Sequence, residues 1–284
     1  MTRTQLLTKI QELHEAIDST VDEVEKAALE AQKAIYEVLV NQIERFEITD
    51  GRFVVTQNFV KRIAIVEEKI ENILGNVYAP SVKEYLNVFS TIDDTHISLH
   101  KSYNQLEVDK KLLKPARMMV YNMAEHYMTS GLKEIYVQPA KYLLMQQVTQ
   151  GITIKDSRKI LDKWNEGSTV GDVTPVPNLA SYSSQLARDA AYQHQGAINE
   201  IISGHYNLDH FIYTGNIIEK SRPLCRHLIG LQRDIALSEI PALLTKYPQG
   251  LYPETNEGNF TTRRGGYNCR HEAFPVKPRK KKKQ

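Results

Sequence analysis

The sequence predicts a mainly α-helical body carrying a small C-terminal α+β module. Three observations predict it. Up to Gly204, apolar residues recur at spacings of three and four, with Glu, Lys and Gln between them. After Gly204 that periodicity gives way to aromatic and β-branched runs broken by Gly, Asn and Pro. The composition, 41% apolar and 25% charged, is that of an ordinary globular chain.

The first helix is expected over residues 4–45. Ile10, Leu13, Ile17, Val21, Val24, Ala28, Ala31, Ile35 and Val38 form its stripe, uninterrupted by Gly or Pro. Ala27, Ala28, Ala31 and Ala34 would let a partner helix approach closely, and a long helix normally finds that partner within its own chain. Asp50-Gly51 marks a turn and Phe53-Val54-Val55 a short β-like run. Thr56 or Asn58 is placed to cap a helix that Gly75 would stop near Leu74. Pro80 precedes a helical stretch over 82–102. Further helices read over 109–129 and 131–150. Gly151 and the cap candidate Asp156 open a short helix with Trp164, the one tryptophan, as a core anchor. Two Gly and two Pro make 167–177 a loop, and Leu179 to Ile202 reads as one amphipathic helix.

The helical body is therefore expected over 1–204 and the α+β module over 205–276. In the module, residues 205–213 resemble a strand and Gly215-Asn216 a turn. Ser238 is the cap candidate of a short helix, residues 250–267 read as a loop, and Ala273-Phe274-Pro275-Val276 as an edge strand.

With 284 residues the chain can bury one large or two modest cores. A formal net charge of +2 singles out no partner. No apolar run approaches the ~20 residues that cross a bilayer, and Met1-Thr2-Arg3-Thr4-Gln5 does not lead into a signal-peptide core. The expectation is a protein folded in a cytoplasm, with reduced thiols and no membrane partner. Residues 277–284 form a basic tail expected to be disordered. Its Arg279, Lys280, Lys281, Lys282 and Lys283 are the candidates for contact with nucleic acid, because clustered cations neutralise phosphates without sequence preference.

The chain has two cysteines, and both lie in the same tripeptide: Cys225-Arg226-His227 and Cys269-Arg270-His271. Zinc prefers tetrahedral sulfur and nitrogen donors, and Cys225, His227, Cys269 and His271 would supply a Cys₂His₂ set for a structural zinc. In an extended segment residues i and i+2 share a side, so each tripeptide would present both donors and turn Arg226 and Arg270 away. Against this, a single intervening residue is tight for a zinc pair. Small buried thiols beside ordinary hydrogen-bonded histidines are the plainer reading, and a Cys225–Cys269 disulfide is the third. All three stay open at the level of sequence.

The order Tyr213-Thr214-Gly215, Ser221-Arg222-Pro223-Leu224-Cys225, Ser238-Glu239-Ile240 and Gly265-Gly266-Tyr267-Asn268-Cys269-Arg270-His271 resembles the phage head morphogenesis family, the Mu F-like minor head proteins of tailed bacteriophages. The resemblance covers residues 213–276 by motif and the remainder by layout only. It implies a minor virion component made in the host cytoplasm and located in the head. There it would associate with the portal protein and other capsid proteins, and contact packaged DNA. Some relatives carry Cys-x-Cys where this chain has Cys269-Arg270-His271, and some carry His at the place of Cys225. Each such exchange swaps one metal-competent donor for another.

Catalytic signatures are thin. No zincin, triad or kinase pattern occurs, and Gly265-Gly266 lacks the frame of a phosphate loop. Asp93-Asp94 and Glu67-Glu68 read as solvated faces, Arg263-Arg264 as a solvated loop pair, and His205 and His210 as structural. The enzyme alternative is a metal-dependent hydrolase or nuclease built on the Cys-His module, and it needs an open coordination position. A second alternative is a host DNA-binding or scaffold protein that shares the module.

Overall fold

The computed structural model describes residues 1–167, 178–248, 255–264 and 269–278. The structure is mainly helical with two small sheets, as the sequence predicts. Helix α1 (Arg3–Ile43) leads into a hairpin of β1 (Ile48–Thr49) and β2 (Arg52–Phe53), then α2 (Gln57–Ile73), α3 (Ala79–Tyr85), α4 (Val88–Leu99), α5 (Lys110–Met128), α6 (Gln138–Thr149), α7 (Ile154–Asn165) and α8 (Leu179–Tyr206). There follow β3 (His210–Thr214), α9 (Pro223–Gly230), β4 (Ile235–Ala236), α10 (Ile240–Lys246), α11 (Phe260–Arg263) and β5 (Glu272–Val276). No described helix is long and apolar enough to cross a membrane.

The chain divides into two compact units. One comprises Met1–Thr20, Asn87–Met123 and Arg188–Gln284, the other Val21–Leu86 and Ala124–Ala187. The described residues of the module expected at 205–276 thus pack in one unit with the start of α1, α4, most of α5 and the greater part of α8.

In the unit built on Val21–Leu86, the α1 stripe is buried within the chain: Val24, Ala28, Ala31 and Ile35 are fully covered, and Leu39, not the expected Val38, continues it. The Asp50-Gly51 turn has φ of 53° and 76°, the left-handed pair that glycine and aspartate tolerate. Thr56 caps α2, its hydroxyl accepting from the Phe59 amide. Gly75 does not stop the helix. It sits inside a π-helical turn, Leu74–Tyr78, that carries the chain straight into α3. Thr153, not Asp156, caps α7, with its hydroxyl accepting from the Asp156 amide. Trp164 is buried against Tyr136, ring centroids 5.1 Å apart.

The other unit holds the three-stranded sheet, ordered β4-β3-β5 and antiparallel throughout. The expected strand at 205–213 begins later, at His210, because α8 runs on to Tyr206. Strand β5 lies at the sheet edge, where Pro275 needs no ladder partner for its missing N–H. Asn104 covers that edge: its amide donates to the Pro275 carbonyl (2.9 Å) and its oxygen accepts from the Lys277 amide (3.1 Å). One sheet face buries Ile212, Phe274 and Val276 against Leu6, Ile10 and Leu99. The opposite face buries Phe211, Tyr213 and Ala273 with Leu224, Leu228, Phe260 and both cysteines.

Candidate metal centre

Pro223 at the first turn of α9 fixes where that helix starts, and Arg222 before it is extended. The loop leading in is pinned by Arg226, whose guanidinium donates to the carbonyls of Ser221 (2.9 Å), Ile218 (2.6 Å) and Glu219 (2.8 Å). Arg226 is thus held by backbone carbonyls. Cys225 lies in the helix and faces inward, fully buried. At 100° per residue, His227 is turned about 200° from Cys225. It is half-buried, with its ring 4.9 Å from that of Tyr247. The expected role of His227 as a fourth ligand is therefore corrected: the tripeptide is helical, not extended, and cannot aim both donors at one point.

The second tripeptide behaves as expected. Cys269 and His271 lead into β5 with both side chains on one side, Sγ to Nδ1 3.4 Å. Gly215 makes room for them. Its φ is +133°, and a Cβ there would lie 2.9 Å from the Arg270 carbonyl oxygen and from both Cα and Cδ2 of His271. Arg270 is 41% exposed and lies 3.8 Å from Asp18.

Cys225, Cys269 and His271 place one donor atom each within 4.8 Å of one another, and no other described His, Cys, Asp or Glu group does so. Both cysteines are buried. Tyr213, from β3, sets its hydroxyl 3.3 Å from Cys225 Sγ and 3.8 Å from Cys269 Sγ, with its ring stacked on His271. Hydrogen bonding with Cys269, and burial, push the Cys225 thiol up. The Cys225 thiol, His271 and Arg264 hold Cys269 well below the ordinary thiol range, against its burial. His271 Nε2 is buried and has no hydrogen-bond partner among the described residues. The corner therefore fits a metal ion by donor chemistry and separation.

Arg264, expected in a solvated loop, is 2% exposed and donates to the Tyr192 carbonyl at 2.8 Å. Gly265 to Asn268 and the tail residues Arg279, Lys280, Lys281, Lys282 and Lys283 lie outside the described residues.

On the other face of the sheet lies a buried polar network that sequence reading missed. Glu272 is fully buried and accepts from Asn199 Nδ2 (2.8 Å), with His14 Nε2 at 3.3 Å and His96 Nε2 at 3.4 Å. Burial would raise its pKa, but His96, His14 and Asn199 outweigh that and hold it at about 2. Asp93, expected on a solvated face, is also fully buried, with His194 Nε2 at 2.8 Å and Arg117 at 3.0 Å. Burial pushes His96 down, and His100 down to about 3. One signal was present. Asp93, His96, His100 and Asn104 follow i, i+3, i+7, i+11, a single helical face that is polar where a core face is apolar. These donors form a chain of pairs, not a converging set, so they read as a charge-paired core and not as a cation cage.

No protein-family model, curated protein or solved structure matches the chain.

Proposed function

We propose that the chain is a minor structural protein of a tailed-phage head, acting in assembly at the portal and inner capsid, with its C-terminal module held by a structural zinc. The single observation that supports this is convergence. Two of the four segments that carry the resemblance, Arg222-Pro223-Leu224-Cys225 and the described Cys269-Arg270-His271, meet at one buried corner of one sheet face. A shared motif set that packs as one unit reads as a module, and its donors are buried among Phe211, Leu224, Leu228 and Phe260. That enclosure favours a structural ion over a hydrolytic one, which needs a position open to solvent. The tail from Arg279 to Lys283 supplies the charge for contact with packaged DNA.

Mass-spectrometric quantification of the protein in purified mature particles and in DNA-free precursors of its phage tests this reading. A few to tens of copies per particle is the expected result. Absence from both particle types would remove the virion assignment.

A further inference from the structure

We propose that Tyr213 is the fourth ligand of this corner, completing a set of Cys225 Sγ, Cys269 Sγ, His271 Nδ1 and Tyr213 Oη around one zinc-like divalent cation. The inference rests on the corner being a metal site, as proposed above, and adds the ligand that neither tripeptide supplies.

Bond lengths of about 2.3 Å to sulfur and about 2.0–2.2 Å to nitrogen or oxygen, at a tetrahedral angle, place sulfur about 3.5 Å from either partner. Tyr213 Oη lies 3.3 Å from one sulfur and 3.8 Å from the other, and His271 Nδ1 lies 3.4 Å from Cys269 Sγ. The three separations bracket that value. A phenol that merely hydrogen-bonds to a thiol needs one such contact. A phenol can also donate to one sulfur and accept from the other, so the double contact is compatible with a common centre and the titration below separates the two.

The alternatives for the fourth position are weaker. His227 faces Tyr247 on another side of α9. The apolar side chains of Phe211, Leu224 and Phe260 enclose the corner against a solvent ligand. Tyr213 would bind as the phenolate, its proton displaced by the cation against the burial and neighbouring cysteines that otherwise keep the phenol protonated. Two thiolates and a phenolate carry three negative charges against two on the cation. Arg264, 2% exposed and close enough to act on both Tyr213 and Cys269, supplies the balancing positive charge. Binding forms the four coordinate bonds and releases to solvent the protons still carried by the thiols and the phenol.

The test uses the full chain, stripped of metal and titrated with Zn²⁺, following the ultraviolet difference band of ionised tyrosine and the protons released. Co²⁺ serves as a second probe, because its thiolate charge-transfer band reports the sulfur ligands. The wild type should gain a tyrosinate signal that saturates at about one equivalent, as one donor set implies. Tyr213→Phe should keep the cobalt–thiolate band, lose the tyrosinate signal, release one proton fewer and bind at least about tenfold more weakly. His227→Ala should change none of these. A Tyr213→Phe protein with unchanged affinity and proton count overturns the Tyr213 assignment and leaves the corner standing. A wild type with no cobalt–thiolate band overturns the corner, and this inference with it. If Tyr213→Phe fails to fold, the wild-type titration alone decides, since thiolate binding without a tyrosinate signal overturns the assignment.

Discussion

His271 and Glu272 are consecutive residues that serve opposite faces of the sheet. His271 lies 3.4 Å from Cys269 and stacks on Tyr213, two members of the cluster that holds Phe211 and Cys225. Glu272 enters the other face, toward His14, His96 and Asn199. The alternation of β5 therefore ties a sulfur–nitrogen corner to a buried carboxylate through one peptide bond.

Asp93 and Asp94 are also neighbours with different fates, and they make a paired mutational test. Asp93 is fully buried between His194 and Arg117, whereas Asp94 is exposed and paired with Lys110. Asp93→Ala leaves a buried imidazole and a guanidinium uncompensated and should cost roughly 3–5 kcal/mol. Asp94→Ala should cost less than about 1 kcal/mol. Urea unfolding of the two variants measures the difference directly. Equal costs would contradict the buried network.

The same network should make the fold acid-labile. His96 and His100 have folded pKa values below their ordinary 6.5, so the unfolded chain binds their protons first. Stability is then full above about pH 6.5 and falls as the pH drops toward 3. Glu272, held at about 2 against an ordinary 4.5, adds a second loss between those values. By pH 4, His100 alone should remove on the order of 3 kcal/mol. Melting temperatures at pH 7.5, 6, 5 and 4 should fall progressively, and His100→Gln should flatten the upper part of that slope.

Two glycines with opposite surroundings predict opposite signs. Gly75 lines an apolar cavity of about 330 Å³ with Leu74, Tyr78, Met128 and Val137, and an added Cβ there meets nothing within 4 Å. Gly75→Ala should stabilise by about 0.5–1 kcal/mol through reduced backbone entropy. At Gly196 an added Cβ would lie 2.6 Å from the Thr262 carbonyl oxygen, so Gly196→Ala should destabilise by roughly 1–3 kcal/mol. Thermal melts of both variants settle the signs.

The helical body was legible because its cue is local. The α1 stripe and the Thr56 cap each follow from residues within a few turns of one another. Gly75 misled because a glycine inside a π-helical turn carries the chain on and does not stop it. At the site, Cys269 and His271 behaved as an extended pair should, but Pro223 started a helix that turned His227 away from Cys225. Tyr213, Arg264 and Glu272 were not legible, because their roles arise only when β3, β5 and distant helices meet. The polar face from Asp93 to Asn104 was visible in the spacing. Only burial distinguishes it from a solvated face.

Removing the corner's donors separately should rank them. His271→Ala and Cys269→Ser should each lower the melting temperature of the zinc-loaded protein and abolish its sensitivity to chelator. His227→Ala should leave both unchanged, since its ring packs on Tyr247 at the surface of the module. Differential scanning calorimetry with and without chelator gives the comparison. A chelator shift that survives His271→Ala would place the metal elsewhere.

The most direct test of the central claim is the metal content of the full chain, purified without added metal and weighed under native conditions. The account predicts about one zinc per chain, lost in a Cys225→Ser/Cys269→Ser double variant that also melts at lower temperature. A metal-free wild type whose double variant is equally stable would contradict it, leaving the two cysteines as plain buried thiols.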